Sequence, residues 1–159
     1  MNSLSRCRPA LGTYVEITVS ADVDDVALIE RSNSAFEEIE RIERLMSFHD
    51  AESELSRVNR EANQAPQEIS SDLATVLGFA LNLSQQTDGV YDVTIAPELV
   101  KHGILPDHGW KTDETASWRD VELAGNQLRY KRPLQVDLGG IAKGYAVDCA
   151  VAKMQAETE

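Results

Sequence analysis

Between Leu134 and Ala146 the chain reads Leu-Gln-Val-Asp-Leu-Gly-Gly-Ile-Ala-Lys-Gly-Tyr-Ala, an apolar run that passes into a glycine pair and then, through Lys143 and Gly144, into a helix-forming stretch. No other segment constrains the fold as much. It predicts a strand over Leu134–Leu138, a tight turn at Gly139-Gly140 and a helix beyond. Glycine reaches φ > 0 and admits a ligand close to the main chain, while a helix N-terminus offers unpaired N–H groups and a partial positive charge. With Lys143 adding a full charge, the segment has the layout of a phosphate-cradling turn. The same residues also fit a plain strand-to-helix connection with a solvated lysine. The order of glycines and lysine is that of neither a P-loop nor a dinucleotide fingerprint.

The rest of the chain mixes helices with hairpins. Tyr14–Val19 alternates, with Val15, Ile17 and Val19 on one side, as a half-buried strand does. Asp22, Asp24 and Asp25 then load the first turn of a long helix whose core-facing stripe is expected at Val26, Ile29, Asn33, Phe36, Ile39, Glu43 and Met46. A short helix is expected over Ser53–Asn59. Another begins at Ser70-Ser71-Asp72, with the stripe Leu73, Val76, Leu77, Ala80 and Leu83, and Gly89 is expected to stop it at the C′ position. A strand over Tyr91–Ile95, a short helix opened by Pro97 and an irregular stretch from Gly103 to Arg119 follow. Asp120–Ala124 and Gln127–Lys131 flank a Gly125-Asn126 hairpin turn, and the last helix carries Ala146, Val147, Ala150, Val151 and Met154 on one face. This order predicts an α+β fold, a mixed or antiparallel sheet with hairpins packed against several helices, rather than a doubly wound parallel sheet.

Charge excludes several function classes. Fifteen basic against 27 acidic residues leave a net charge of −12, which argues against nucleic acid or an anionic membrane surface as a partner. An anionic ligand must therefore find a local positive patch. No run approaches the roughly 20 apolar residues of a membrane span. Met1–Cys7 has no apolar core of a signal peptide, so the sequence as written reads as cytoplasmic. Cys7 and Cys149 are too few for a disulfide framework, and His49, His102 and His108 lack zinc spacing. No nucleophile, base and orienting acid are recognisable together.

Four segments taken in order carry a resemblance. Leu11-Gly12-Thr13, Met46-Ser47-Phe48-His49 leading to Ser53–Asn59, Asp88–Pro97 with its core Tyr91-Asp92-Val93-Thr94, and Val136–Asp148 resemble the ApbE family of FAD:protein FMN transferases. The resemblance runs from near Arg8 onward. It implies FAD as the substrate, Mg2+ as the cation, transfer of FMN to a threonine hydroxyl of an acceptor protein, and release of AMP. In such phosphoryl-type chemistry, positioning and charge neutralisation take the place of a triad. Leu11 stands where the family usually has the methionine of Met-Gly-Thr, His49 where many members have a tyrosine, and His102-Gly103 where Trp-Gly is frequent.

By the same matching, Leu11, Gly12, Thr13, His49, His102, Gly103, Asp137 and Lys143 contact FAD, and the main-chain carbonyl of Gly140 joins the metal shell. No catalytic side chain is assigned. The resemblance further implies that residues 1–159 are the N-terminal portion of a single ApbE-like domain, without the metal-ligating aspartate and threonine of the other half. Such a chain is expected to be inactive alone and to have a surface through which it could form a homo-oligomer. Many members are periplasmic or membrane-anchored lipoproteins, so export stands beside the cytoplasmic reading. The alternatives are a non-catalytic FAD- or nucleotide-binding module and a truncated relative.

Overall fold

The computed structural model describes residues 1–156, which divide into two compact units: Met1–Glu43 with the helix from Ala142 onward, and Arg44–Ile141. The α+β architecture expected from the sequence is the one observed, with two small antiparallel sheets among helices. No helix among the described residues is long and apolar enough to cross a membrane.

The first unit opens with a strand the sequence reading did not anticipate. β1 (Asn2–Ala10) pairs antiparallel with β2 (Thr13–Ala21) over nine rungs, from Asn2 opposite Ala21 to Ala10 opposite Thr13. Directly opposed residues share a face, so Leu4, Arg6 and Arg8 lie beside Val19, Ile17 and Val15, while Ser3, Ser5 and Cys7 point the other way. Arginines on the inner face of β1 hide the apolar alternation by which a strand is recognised. The outer face is a hydroxyl ladder, with Ser3 to Ser20 at 2.8 Å and Ser5 to Thr18 at 2.7 Å.

α1 (Asp25–Met46) follows after Asp24, whose carboxylate accepts the Ala27 N–H at 2.9 Å. Its buried stripe is Leu28, Ser32, Ala35, Phe36, Ile39, Ile42 and Met46. This corrects the expected face, because Val26 and Ile29 are exposed, at 63% and 43%. A 3.6-residue period admits two neighbouring stripes, and Leu28 with Ala35 chooses the other one. α5 (Ala142–Ala156) buries Ala142, Ala146 and Ala150 and leaves Val147 and Val151 exposed, so its inward face is narrower than expected.

In the second unit, α2 (Glu54–Glu61) is capped by Ser53, whose hydroxyl accepts the Ser56 N–H. α3 (Ser71–Gln86) is capped by Ser70 in the same way. Its end is one residue off the expectation. Asp88, at φ +48°, holds the C′ position and donates its N–H to Gln85, while Gly89 at C″ donates to Ser84. The sheet of this unit is ordered β3 (Gln67–Glu68), β5 (Gln127–Tyr130), β4 (Val121–Ala124), all antiparallel, and Ala124 opposite Gln127 closes the hairpin at Gly125-Asn126. α4 (Ala96–Lys101) starts at Pro97's expected place. Leu55, Val58, Leu73, Leu77, Val93, Leu128, Tyr130, Leu134, Val136 and Leu138 are among the buried residues of this second unit.

Two expected strands are not strands. Tyr91–Ile95 is a turn: the Asp92 carboxylate accepts from the Thr94 N–H at 2.8 Å and its hydroxyl at 2.6 Å, which bends the backbone that β-branched residues would otherwise extend. Leu134–Leu138 pairs with no strand among the described residues. Its polar groups go elsewhere: Val136 bonds the Asn59 carboxamide through both N–H and C=O, Asp137 donates to the Val93 carbonyl at 3.1 Å, and Gln135 reaches Thr112 at 2.8 Å.

Candidate functional site

The glycine turn differs from a bare amide cradle. Neither Gly139 nor Gly140 has a φ in the left-handed region, so positive φ is not why they are glycines. At Gly139 the reason is proximity: a Cβ there would lie 3.1 Å from Asp137 Oδ2, whereas one on Gly140 would meet the Tyr91 ring at an ordinary 3.7 Å. The Gly139 N–H, moreover, is already engaged by the Asp137 carboxylate at 3.2 Å, and Ile141 N–H donates back to Leu138 at 2.9 Å. The expected row of unpaired amides is thus partly filled from within. What the turn presents within the second unit is a carboxylate and an exposed Gly140; Lys143 is exposed in the first turn of α5, in the first unit.

Tyr91 and Asp92 come to the same place, though they were absent from the expected contact set. The Tyr91 N–H is held by the Thr87 hydroxyl at 3.0 Å, and the residue is half-buried. Burial first, then the carboxylates of Asp137 and Asp92, push its phenol above the ordinary tyrosine value. Asp92, Tyr91 and Asp137 therefore form an acidic cluster beside Gly140 in which the phenol stays protonated. The signal that could have found them was the segment Asp88–Pro97, recognised as a motif but read as a strand whose polar residues satisfy the backbone.

The other expected contacts of this unit are surface residues. His49 is exposed in a loop closed by hydroxyls: Ser53 donates to the Ser47 carbonyl at 2.6 Å and Ser56 to the Asp50 carbonyl at 2.6 Å. Exposed His102 ends α4, and Gly103, at φ +69°, takes the left-handed C′ position there. An aromatic surface missed in the sequence lies elsewhere. His108 stacks on Trp110 at 4.3 Å, both rings meet buried Phe48, and His108 Nε2 bonds the Phe48 carbonyl at 2.8 Å. Irregular backbone between Gly103 and Arg119 gave no period by which to place them.

In the first unit, Leu11 and Gly12 are the two central residues of the β1–β2 turn, at φ +56° and +69°. Both positive angles are what a two-residue hairpin of this twist requires, but a leucine there is uncommon. Glu43 on α1 holds it, accepting the Leu11 N–H at 2.9 Å. Gly12 and Thr13 are exposed next to it.

Residues 11–158 match the ApbE family over nearly the whole chain. The chain belongs to the ApbE family. An FAD:protein FMN transferase from Haemophilus influenzae is 31% identical over 153 residues, covering 84% of this chain and 44% of that protein. One from Vibrio cholerae is 32% identical over 130 residues, covering 75% and 39%. A solved structure of a variant of the flavin transferase ApbE from Vibrio cholerae aligns with a TM-score of 0.85 at 27% identity, covering 99% of this chain and 58% of that one. The chain spans less than half the length of these two curated relatives.

The ApbE resemblance implies magnesium, and the donors can be tested for it. Among the described residues no three His, Cys, Asp or Glu side chains gather where they could hold a metal ion. Asp137 and the Gly140 carbonyl are oxygen donors of the right hardness, and the other positions of an octahedral ion would come from substrate phosphate, water or residues outside this chain.

Proposed function

We propose that this chain is the N-terminal, flavin-nucleotide-holding portion of an FAD:protein FMN transferase. In the reaction the hydroxyl oxygen of an acceptor threonine forms a bond to the FMN phosphorus. The pyrophosphate P–O bond breaks, AMP leaves, and the hydroxyl proton is lost. The observation that carries this reading is the family match over residues 11–158, with FAD:protein FMN transferases among the relatives. Geometry supports a restricted role for these residues. Lys143 supplies the positive charge that a pyrophosphate calls for in a chain of net charge −12. Leu11, Gly12, Thr13, His49, His102, Gly103 and Asp137 are proposed as FAD contacts, and the Gly140 carbonyl as a contributor to a metal shell completed by residues outside this chain.

Titration of the chain with FAD, followed by quenching of flavin fluorescence, tests the nucleotide role. Saturable binding that weakens in Lys143→Ala supports it, and equal binding by the two proteins overturns it. AMP release with a threonine-bearing acceptor, after adding the polypeptide that matches the remaining length of the relatives, tests the transfer. A second reading, a binding module without catalysis, is favoured by the incomplete metal donor set. FAD binding with no AMP release in that complemented assay selects it.

A further inference from the structure

On the inner face of β1, Arg6 and Arg8 make a cationic pair with no carboxylate within ion-pair distance among the described residues. Arg6 Nη1 donates to Ser32 Oγ at 2.7 Å and to Asn33 Oδ1 at 2.6 Å, and lies 3.4 Å from the Ile29 carbonyl. Arg8 Nη2 donates to the same Asn33 Oδ1 at 3.0 Å. One carboxamide oxygen thus draws two guanidinium groups together, and both lie over the ring of buried Phe36, at 5.9 Å and 4.5 Å from its centre.

Two like charges this close repel, and an amide dipole and a π-face offset the repulsion only in part. Twenty-seven acidic residues are available in the sequence. Among the described residues, none places a carboxylate within 4.0 Å of either guanidinium. The nearest turn of the hairpin shows that carboxylates are not barred from this face, since Glu43 is spent on the Leu11 amide. A guanidinium carries five N–H donors. Here only Nη1 of Arg6 and Nη2 of Arg8 have acceptors among the described residues, and both side chains belong to partly exposed residues.

We propose that Arg6 and Arg8 form a binding site for a small phosphate-class oxyanion. Each guanidinium keeps an unused donor edge, the geometry that suits bidentate contact to an oxyanion. A dianionic phosphate matches the pair's charge of two, where a single carboxylate would leave half of it uncompensated. The site lies wholly in the first unit and would stand whether or not the chain takes part in flavin transfer.

The test follows arginine Nε–H signals of 15N-labelled protein during titration with inorganic phosphate, then with pyrophosphate, at ionic strength held constant with chloride. The expected result is saturable shifts of two arginine signals, with affinity falling roughly tenfold or more in Arg8→Gln, the loss of about one charge-assisted hydrogen bond or more. Lys143→Ala is expected to leave these shifts intact, which separates this site from the glycine turn. Arg8→Lys, which keeps charge and lacks the fork, is expected to bind at an intermediate level, and serves if Arg8→Gln fails to fold. Shifts that grow linearly without saturating, that persist unchanged in the folded Arg8 variants, or that vanish in Lys143→Ala overturn the proposal.

Discussion

Asn59 does for Val136 what a neighbouring strand would do. Its side chain accepts the Val136 N–H at 2.8 Å and donates to the Val136 carbonyl at 2.9 Å, while the Tyr130 hydroxyl bonds the same Oδ1 at 3.3 Å. All three residues are buried, so no water stands ready to replace the carboxamide. An α2 side chain thus holds the backbone one residue ahead of Asp137, beside the Val93 carbonyl that takes the Asp137 N–H.

Asn59→Ala leaves that backbone amide, that carbonyl and a phenol without partners, and is expected to cost about 3 kcal/mol or more. Asn59→Asp keeps the shape but sets a carboxylate against the Val136 carbonyl, and is expected to be destabilising too. Urea unfolding checks both, read as a lower midpoint at unchanged m-value.

Gly139→Ala and Gly144→Ala should part company. The first puts a Cβ 3.1 Å from Asp137 Oδ2, so the carboxylate must give by a few tenths of an ångström and its bond to the Gly139 amide loosens, at an expected cost of about 1 kcal/mol. The second meets nothing within 4 Å on α5 and is expected to stabilise by about 0.5–1 kcal/mol through helix propensity. Thermal unfolding of the two variants gives the signs directly.

Leu11 sits at φ +56°, where a side chain with a Cβ costs about 1–2 kcal/mol and asparagine is tolerated. Leu11→Asn is therefore expected to raise Tm by about 2–4 °C. If leucine is kept there for contact with FAD, the same variant binds FAD more weakly while being more stable, which paired calorimetry and flavin titration would reveal.

Tyr91 predicts an alkaline loss of stability. Its folded-state pKa lies above the ordinary value of 10.0, chiefly through burial and then through Asp137 and Asp92. The unfolded phenol ionises first as pH rises, so the contribution is whole below about pH 10 and drains as pH climbs toward the folded-state value. Fully buried Tyr130 is shifted the same way, by burial alone. Urea midpoints between pH 8 and 11 are expected to fall less steeply in Tyr91→Phe than in the wild type. Parallel curves would remove Tyr91 as a source of that slope.

The helices were largely legible because caps and periods are local. Ser53 and Ser70 cap where serine should, and Leu73, Val76, Leu77 and Ala80 are buried as spaced. Where two apolar stripes competed on α1, Leu28 and Ala35 rather than Val26 and Ile29 turned inward, a choice that tertiary packing makes. Apolar, β-branched runs at Tyr91–Ile95 and Leu134–Leu138 read as strands because composition reports extended, buried backbone. It does not report whether a ladder or a side chain receives the hydrogen bonds. Asp92 and Asn59 decide that from outside the periodic pattern. Of the candidate site, the glycine pair stood out by its spacing, and Asp137 entered through the family resemblance. Tyr91 and Asp92 lay inside the Asp88–Pro97 motif, but their meeting with Asp137 was not legible there, since it depends on the Val93 carbonyl receiving the Asp137 amide across more than forty residues of chain.

The β1–β2 ribbon, nine rungs long and only two strands wide among the described residues, sets terms for anything that comes to lie along it. A third strand added at either margin would inherit the alternation already written into the pair. Every second side chain would be delivered to the level of Ile17 and Val19, and the remainder to the serine and threonine level. A recruit is thus identifiable in advance by its own two-residue rhythm of greasy and hydroxylic positions, and one shifted by a single residue would be rejected.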